Sequence, residues 1–441
     1  MKTIAFYTLG CKVNQADTAS MEVLFKAAGY EVKQFNEAAD VYLINTCVVT
    51  NMAQRKSRQM INRALRSNPE AVVVVTGCYP QTNPEAVKAI DGVDIIIGNQ
   101  ERGKVVQLVN DKLNEMQNAK CKIKNEGNFV KPLNGVGFDE LAAGDVAERT
   151  RAFLKIQEGC NQFCTYCIIP YARGPLRSRS LEGIKSEVAK LVASGYKEVV
   201  LIGIHLGCYG KETGDRTLFD AVQAALSVPG LQRLRLGSLE SVEVEDRLLD
   251  LMLQDERFCR HLHLPLQSGC DGVLKAMHRP YDTAKFAALV TKIKAKIPDI
   301  AITTDVIVGF PGEKDADFAA TCDFVQKVGF AKMHIFPYSK RQGTPAAVMP
   351  NQLTEKQKAD RAEMLAKYDV AMQKDFMQSL VGKTLSVLFE QSAGEGFMEG
   401  LSDNYQRVKC PGGAELSNQI AQVKIIGFDG DFLLGEIIKI I

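Results

Sequence analysis

Three closely spaced cysteines are the strongest chemical signal in this chain. Cys160, Cys164 and Cys167 lie in the segment Glu-Gly-Cys-Asn-Gln-Phe-Cys-Thr-Tyr-Cys, so a single loop carries three thiols. A closed zinc site and a fully ligated iron–sulfur cubane each need four protein ligands. A cluster held by only three cysteines therefore keeps one iron open to a small molecule. This pattern indicates a catalytic metal cluster rather than a structural one.

A second cysteine trio is dispersed over the N-terminal part of the chain. Cys11, Cys47 and Cys78 each follow an apolar, β-branched run. Helical patterns separate these runs, and this alternation is typical of a parallel sheet. The loops after parallel strands gather at one edge of the sheet, so we expect the three cysteines to meet and form a second cluster site. The alternative is three unconnected buried cysteines, since cysteine is a common core residue.

The elements that would position the first trio form a second α/β pattern, which begins at Arg151. Six strand-like runs are found, at 153–156, 199–202, 233–236, 261–264, 301–308 and 332–336. Amphipathic helical stretches lie between them, at 181–193, 246–253, 284–297 and 317–328. Six β/α units predict an open or partial barrel, with its chemistry in the loops after the strands. The first trio follows the first of these strands, as that rule requires.

The chain changes character again at about Val381. Short alternating strands and Gly-rich turns from here to the end predict a small β-barrel of oligonucleotide-binding type. In it, Asn404 and Tyr405 offer an amide and an aromatic ring for contacts with bases. This part contains five Lys/Arg and eight Asp/Glu residues. We therefore expect any binding of RNA by this part to depend on its shape and on a few specific residues, not on its net charge.

Composition restricts the class of protein. A chain of 441 residues, with 46% hydrophobic and 24% charged residues, is typical of a soluble protein of about two to four domains. The N-terminal stretch does not resemble a signal peptide, and no run is long enough to span a membrane. Twelve cysteines then favour metal or redox chemistry, because the cytoplasm keeps thiols reduced. We expect a cytoplasmic protein that is a self-sufficient monomer.

The basic residues are unevenly placed, although the net charge of +2 gives no global sign of nucleic-acid binding. Five of them lie between positions 51 and 66 with no acidic residue among them: Arg55, Lys56, Arg58, Arg63 and Arg66. Another group, Arg173, Arg177 and Arg179, follows the cysteine loop directly. Such clusters either track a phosphate backbone or form a solvated surface.

The cysteine loop, with Tyr166 before its last cysteine, resembles the radical S-adenosylmethionine superfamily. The strand-end trio ahead of it is similar to the N-terminal domain of the methylthiotransferases, and segments 263–269, 305–313 and 336–344 resemble later blocks of that family. The resemblance covers essentially the whole chain and implies an α/β fold in four parts. These are an N-terminal parallel-sheet domain with a second cluster at 1–125, a linker at 126–147, a partial (β/α)6 barrel at 148–378 and a small antiparallel β-barrel, the RNA-binding TRAM domain, at 379–441.

Within this family, the segments around Cys11 and Cys47 look most like the branch that acts on N6-threonylcarbamoyladenosine at position 37 of tRNA. The resemblance implies replacement of the C2 hydrogen of that adenine by a methylthio group. General-base catalysis cannot break such an unactivated bond at neutral pH, so a radical is required. The implied cofactors are S-adenosylmethionine and two [4Fe-4S] clusters, one on each trio, which face each other across the adenine. The implied partners are tRNA, an electron donor such as a flavodoxin or ferredoxin, and a sulfur source.

The resemblance and the strand-end positions also suggest roles for residues outside the trios. Candidate cofactor contacts are Tyr166, Gly203, Ser238, Glu240, Gln267 and Gly309. Arg177 and Arg179 are candidates for tRNA phosphate or the cofactor carboxylate, and Asn404 and Tyr405 for bases. Each of these is alternatively a residue that satisfies only its local neighbours. The cysteines that fit no trio are interpreted as ordinary thiols: Cys121, Cys208, Cys259, Cys270, Cys322 and Cys410.

Other functions remain open from the sequence alone. The nearest alternatives are methylthiotransferases that act on isopentenyladenosine at position 37 of tRNA or on an aspartate of a ribosomal protein. A non-catalytic alternative is an iron–sulfur protein that binds RNA or senses redox state, which would hold clusters without cleaving S-adenosylmethionine. Zinc in place of iron is a further alternative, which metal and sulfide analysis would distinguish.

Overall fold

Three sheet assemblies follow one another along the chain in the computed structural model, which describes residues 1–119, 127–144, 150–394 and 396–441. They are a six-stranded sheet, two connected three-stranded sheets and a closed five-stranded barrel. The α/β fold expected from the sequence is thereby confirmed. Cys121 and the expected domain boundaries at 125/126 and 147/148 lie outside the described residues. None of the described helices is long and apolar enough to cross a lipid bilayer.

The N-terminal sheet is entirely parallel, with the order β2-β1-β3-β4-β5-β6. Its strands β1 to β6 are Thr3–Thr8, Glu31–Lys33, Val41–Thr46, Val72–Gly77, Ile95–Ile96 and Gly127–Asn128. Its helices α1 to α5 are Lys12–Ala27, Asn51–Ser67, Cys78–Thr82, Pro84–Lys88 and Val105–Ala119. Strands β3 and β4 are buried along their whole length, as parallel strands covered on both faces are. The sixth strand falls within the segment that the sequence assigns to a linker.

The central part contains the six strands expected from the sequence and a short hairpin. Its strands β7 to β14 are Arg151–Lys155, Gln157–Glu158, Arg177–Ser178, Glu198–Ile202, Arg233–Leu236, His261–His263, Ala301–Val308 and Lys332–Pro337. The parallel sheets β11-β10-β7 and β12-β13-β14 are joined by parallel bridges from Leu234 to Phe258 and from Ser238 to His263. The result is a partial barrel of six parallel strands, in which the antiparallel hairpin β8–β9 flanks the cysteine loop.

Helices cover the outside of the partial barrel. Its helices α6 to α13 are Ile169–Arg173, Leu181–Ala193, Leu218–Leu226, Asp246–Gln254, Asp271–Ala276, Thr283–Lys296, Asp315–Val328 and Glu355–Leu380. The sequence reasoning did not predict α13, although Thr354 and Gln357 form a capping box at its start. Its inner face buries charged groups such as Arg361 and Asp369, so no apolar stripe marks it. The expected boundary at 378/379 falls in the last turn of this helix.

The C-terminal part is the expected small barrel, closed in the order β15-β16-β17-β19-β18. Its strands β15 to β19 are Thr384–Ser392, Phe397–Ser402, Arg407–Pro411, Ile420–Asp429 and Phe432–Ile440. The sequence reasoning missed β16, which contains Gly400 in its interior. A Cβ at this position would lie 2.4 Å from the carbonyl oxygen of Leu388. Glycine is needed here because two strands approach closely, and it weakens the strand pattern in the sequence.

The segment expected to contact RNA bases, around Asn404 and Tyr405, packs against the partial barrel instead. Asn404 is buried and donates a hydrogen bond to the carbonyl oxygen of Asp299. The ring of Tyr405 stacks on His261, with centroids 4.3 Å apart, and Arg235 donates to the carbonyl oxygens of residues 402 and 403. In this arrangement the segment joins the small barrel to the central part. A role in base contacts stays a prediction that these positions do not favour.

The contact between the small barrel and the central part depends on Glu198, which is fully buried between two arginines. Its carboxylate lies 3.1 Å from Arg233 and 2.7 Å from Arg235. Burial raises the pKa of Glu198, but the two arginines outweigh it and hold the pKa at about 2, below the ordinary value of 4.5. The contribution of ionised Glu198 to the free energy of unfolding is therefore complete above the pKa that this carboxyl has in the unfolded chain, and it is lost as the pH falls toward 2.

We expect Glu198→Gln to lower the free energy of unfolding at pH 7 by about 3 kcal/mol, because it leaves two buried guanidinium groups without their counter-charge. Urea midpoints measured from pH 7 downward should show the difference from wild type shrinking below about pH 4.5. Glu363→Gln, on the exposed face of α13, is the control and should change the midpoint little. A difference that stays constant down to the lowest accessible pH would contradict the pKa assignment.

Candidate active site between two cysteine trios

The loop that carries Cys160 and its partners is closed at its base. It follows β7 and β8, and it returns through α6 to β9, which pairs with β8. The amide of Cys160 donates to the carbonyl oxygen of Gly174 at 3.0 Å. Gly159 has a φ of +80°, and a Cβ there would lie 1.9 Å from the carbonyl oxygen of Pro175. Only glycine fits this crossing, so Gly159 allows the two ends of the loop to approach each other closely.

Hydrogen-bond donors surround the three sulfur atoms of this loop. The amide of Gln162 donates to Cys160 Sγ at 3.4 Å, and Arg279 Nη1 donates to Cys164 Sγ at 3.1 Å. Burial, together with the charges of Cys164 and Cys160, raises the pKa of the Cys167 thiol to about 12. Three thiolates at this position therefore repel one another. A cation bound among them removes that cost, because a coordinating thiol is deprotonated by the metal.

The second trio meets in space, as expected. Cys11, Cys47 and Cys78 come directly or shortly after β1, β3 and β4, three neighbouring strands of the N-terminal sheet. A Cβ added to Gly10 would lie 3.0 Å from Cys47 Sγ, so the loop of Cys11 lies against Cys47. Burial first, and then the charges of Cys78 and Cys11, raise the pKa of the Cys47 thiol to about 11. These three thiols therefore form one electrostatically coupled group.

Both trios suit an iron–sulfur cluster better than a single ion. Ligands of one tetrahedral zinc ion have their sulfur atoms about 3.8 Å apart, given zinc–sulfur bonds of about 2.3 Å. Neither trio is among the groups of described residues whose ligand atoms all lie within 4.8 Å of one another. The wider spacing suits sulfurs bound to different irons of one cluster. Donors aimed at sulfur, such as Arg279 at Cys164, are also a feature of cluster sites.

Arg173 connects the two trios. It ends α6, just after the cysteine loop, and its side chain is completely buried. Its Nε donates to Cys78 Sγ at 3.2 Å. Its Nη1 donates to Asp17 on α1 at 2.9 Å and to Glu158 on β8 at 2.8 Å. One side chain therefore binds a cysteine of the N-terminal sheet and carboxylates from both halves of the site.

Two further cations complete this buried network. Lys155 contacts both Asp17 and Glu158, and Arg102 contacts Asp17 at 3.2 Å. Burial raises the pKa of Glu158, but Lys155, Arg173 and Arg102 outweigh it and hold the pKa well below its usual range. Both carboxylates are therefore ionised, and the network fixes the N-terminal sheet to the partial barrel.

A cavity of about 540 Å³ lies where neighbours of both trios meet. Val48, next to Cys47, and Ile168, next to Cys167, both line it. Arg341 also lines it; this buried side chain has an Nε atom with no hydrogen-bond partner among the described residues. The volume is in the range that binds small organic groups. None of the six cysteines lines this cavity itself, so cluster sites that face each other across it stay a prediction.

The predicted cofactor contacts lie at the carboxyl ends of the barrel strands, on the same edge as the cysteine loop. Gly203 follows β10, Ser238 and Glu240 follow β11, Gln267 follows β12, and Gly309 follows β13. Glu240 pairs with Arg279, which also donates to Cys164. Tyr166 lies within the loop, and its hydroxyl accepts from Arg279 at 3.5 Å. Their contact with a cofactor stays a prediction.

Arg177 and Arg179 are buried, with 6% and 3% of their surface exposed. Arg177 donates to the carbonyl oxygen of Arg173 at 2.8 Å, and Arg179 donates to that of Leu141 at 2.6 Å. These contacts hold the segment before the barrel against the cysteine loop. Binding of tRNA phosphate by either residue stays a prediction that their burial does not favour.

Sequence reasoning missed two residues that touch the first trio, Arg279 and His205, and a third, Glu243, that pairs with His205. Arg279 comes from the loop after α10, and His205 follows β10 with its Nδ1 3.3 Å from Cys160 Sγ. Glu243 lies 3.0 Å from His205 Nε2. Burial lowers the pKa of His205, but hydrogen bonds to Cys160, Cys208 and Glu243 outweigh it and raise the pKa to about 12. The position of His205 after a barrel strand was a usable signal, whereas nothing in the sequence marks Arg279.

Two family profiles match the chain in the parts that carry the trios. The family described as "Uncharacterized protein family UPF0004" matches residues 3–98, and the Radical SAM superfamily matches residues 154–325. Among solved structures, a radical S-adenosylmethionine methyltransferase, TsrM from Kitasatospora setae, with cobalamin and a [4Fe-4S] cluster bound, superposes with a TM-score of 0.59. It is 16% identical in sequence, and the match covers 79% of this chain and 77% of that one. This likeness concerns the fold.

Curated relatives match the chain over its full length. The threonylcarbamoyladenosine tRNA methylthiotransferase MtaB of Bacillus subtilis (strain 168) is 40% identical, covering 100% of this chain and 97% of the relative. The protein of the same name from Aquifex aeolicus (strain VF5) is 38% identical, covering 95% and 98%. A tRNA-2-methylthio-N(6)-dimethylallyladenosine synthase from Caldicellulosiruptor saccharolyticus is 35% identical, covering 99% and 93%.

Proposed function

The chain belongs to the family of the radical S-adenosylmethionine tRNA methylthiotransferases, and from this membership we propose that it methylthiolates C2 of N6-threonylcarbamoyladenosine at position 37 of tRNA. The observation that carries the proposal is the pair of three-cysteine sites, whose neighbours line one cavity. Two sites with three protein ligands each suit two different tasks on one substrate placed between them.

The residues present fit two [4Fe-4S] clusters and S-adenosylmethionine. Cys160, Cys164 and Cys167 would hold one cluster, and the N-terminal trio would hold the other. When bound, these groups supply one-electron cleavage of the sulfonium and the sulfur and methyl of the transferred group. S-adenosylmethionine carries an amino and a carboxylate group, and the strand-end residues such as Glu240 and Ser238 lie on the edge where it would bind.

The protein's own groups hold these sites in place. Gly159 and the β8–β9 hairpin fix the cysteine loop, and Arg279 joins Cys164 to Glu240. Arg173 fixes Cys78 relative to that loop. Because the side chains of Arg173 and Arg279 are buried, their contacts with Cys78 and Cys164 exclude water locally. A reactive intermediate is protected by such exclusion of water.

The remaining partners follow from the same chemistry. Cleavage of the sulfonium consumes one electron, so we propose a flavodoxin or ferredoxin as the donor. The methylthio group consumes one sulfur atom per turnover, so a separate sulfur source is required. We propose that the enzyme acts as a monomer in the cytoplasm, and sedimentation analysis of the reconstituted enzyme tests the oligomeric state.

The proposed function is tested with oxygen-free, cluster-reconstituted enzyme, S-adenosylmethionine and a reductant. One tRNA should carry N6-threonylcarbamoyladenosine at position 37, and a matched tRNA should carry isopentenyladenosine there. We expect the methylthio product, detected by mass spectrometry of nucleosides, only on the first tRNA. Product on isopentenyladenosine alone, or on a ribosomal protein alone, would replace the proposed substrate by that one. If the enzyme holds its clusters but does not cleave S-adenosylmethionine, the protein would instead be a non-catalytic iron–sulfur protein.

A further inference from the structure

The exposed face of α2 is a basic surface that adjoins the cavity. Five cations of this helix make up what we name the α2 basic face: Arg55, Lys56, Arg58, Arg63 and Arg66. All five side chains are exposed. The opposite side of the helix, with Ser57, Met60, Ile61 and Ala64, is buried against the N-terminal sheet. The cations therefore all point away from the protein.

None of the five cations forms an ion pair with any other described residue. The segment from position 51 to position 67 contains no acidic residue. A solvated helix face normally intersperses both signs of charge, because like charges three or four residues apart destabilise a helix. An unrelieved positive stripe is instead typical of a surface that meets a polyanion.

The stripe leads to the cavity. From Arg55 to Arg66 it is about 16 Å long, at 1.5 Å per helical residue. Gln54, one residue before the stripe, lines the cavity together with Val48 and Arg341. Arg341, whose buried Nε has no hydrogen-bond partner among the described residues, adds a further cation at the cavity wall. The α2 basic face therefore begins beside a residue that lines the cavity.

Exposed apolar side chains lie at the same junction. Val49 and Met52 at the start of α2 are 46% and 73% exposed, and Tyr171 on α6 is 50% exposed and lines the cavity. The ring of Tyr171 meets that of Phe163, itself 49% exposed, edge to face at 5.7 Å. Exposed rings beside a cationic stripe are the combination that binds single-stranded nucleic acid, since bases stack on rings and phosphates meet the cations.

We propose that the α2 basic face binds the phosphate backbone of the tRNA anticodon arm and so delivers the loop to the cavity. This rests on the proposed function for the identity of the RNA. It assigns the main electrostatic contact to the N-terminal sheet domain. The C-terminal barrel is acidic, with eight Asp/Glu against five Lys/Arg from Val381 onward, and its Asn404 is buried.

The test compares two triple variants of the full-length, cluster-reconstituted enzyme. Arg55→Gln, Arg58→Gln and Arg66→Gln together remove three charges from the α2 basic face. Lys185→Gln, Lys327→Gln and Lys356→Gln remove three exposed charges from α7, α12 and α13. Affinity for a tRNA carrying threonylcarbamoyladenosine is measured by fluorescence anisotropy between 50 and 300 mM salt, and S-adenosylmethionine cleavage without tRNA is measured in parallel.

For the α2 variant we expect tRNA affinity to fall on the order of 10- to 100-fold near 0.1 M salt, and the salt dependence of log K to become shallower by about 2 to 3. Cleavage of S-adenosylmethionine without tRNA should be unchanged. The control variant should keep wild-type affinity. Arg58→Gln and Arg66→Gln as single changes should each make the slope shallower by about 1, which guards against misfolding of the triple variant.

Unchanged affinity and slope in the α2 variant would overturn this inference, and so would an equal loss in both triple variants. Either result would leave the proposed function intact as long as wild-type enzyme forms the methylthio product. Failure of wild-type enzyme to modify the tRNA would instead remove the proposed function, whatever the binding result. The two failures are therefore separate.

Discussion

Alanine at Cys47 is expected to abolish methylthio product while S-adenosylmethionine is still cleaved. Cys47 belongs to the trio on the N-terminal sheet, whereas the barrel trio and its donors Arg279 and His205 are untouched by the change. Loss of one of three ligands leaves the second site unable to hold its cluster. The methylthio product should fall by more than about 1,000-fold, because on the proposed function the group transferred comes from that site.

Cys164→Ala is the companion variant and should remove both activities, since the barrel trio is the one beside the strand-end residues predicted to hold the cofactor. Cys322→Ala is the control, because Cys322 is a buried thiol outside both trios. Iron content should fall by about half in each trio variant and stay at the wild-type level in the control. Methylthio product from Cys47→Ala enzyme would exclude a catalytic second cluster.

Replacing Arg173 by methionine is expected to destabilise the protein strongly and to disturb the second cluster site. The change leaves the buried carboxylates of Asp17 and Glu158 with fewer counter-charges and removes the donor to Cys78. Breaking a buried charge network from one side costs about 3 to 5 kcal/mol. Chemical denaturation gives the free energy of unfolding, and iron per chain reports on the site.

Arg173→Lys tests whether charge alone suffices. A lysine has one ammonium and cannot reach Asp17, Glu158 and Cys78 together as the guanidinium fork does, so we expect partial recovery of stability with iron content still reduced. Arg247→Met removes an exposed pair with Glu245 and should cost less than about 1 kcal/mol. Wild-type stability and iron content in Arg173→Met enzyme would show that the network is dispensable.

The sequence predicted the elements that carry the trios, because each is marked by a strong local pattern. The buried runs before Cys11, Cys47 and Cys78 are continuous β-branched stretches, and the barrel strands 233–236 and 301–308 have the observed bounds. Parallel strands place the loops after them at one edge. The meeting of three distant cysteines therefore follows from local patterns and one topological rule.

The residues that local patterns could not reveal are those whose role depends on partners distant in sequence. Arg173 was grouped with Arg177 and Arg179 as a surface cation, yet it is buried because Asp17, 156 positions earlier, supplies a counter-charge. Tyr405 was predicted to contact RNA because its aromatic ring could pack on a base, but His261 and Arg235 cover it. Such pairings arise only when whole domains pack together.

The ionic network around Arg173 constrains how a nucleotide reaches the cavity. Asp17 belongs to the N-terminal sheet domain, while Arg173 and Lys155 belong to the barrel. A hinge motion that separates the two domains would break these ion pairs and leave several buried charges without a partner. Buried ion pairs therefore hold together the two parts of the protein that carry the trios. If position 37 of tRNA is the substrate, as proposed, the anticodon loop has to flip its adenine out into a site that is already assembled, and the few kcal/mol needed to unstack that base are a cost to the RNA and not to the protein.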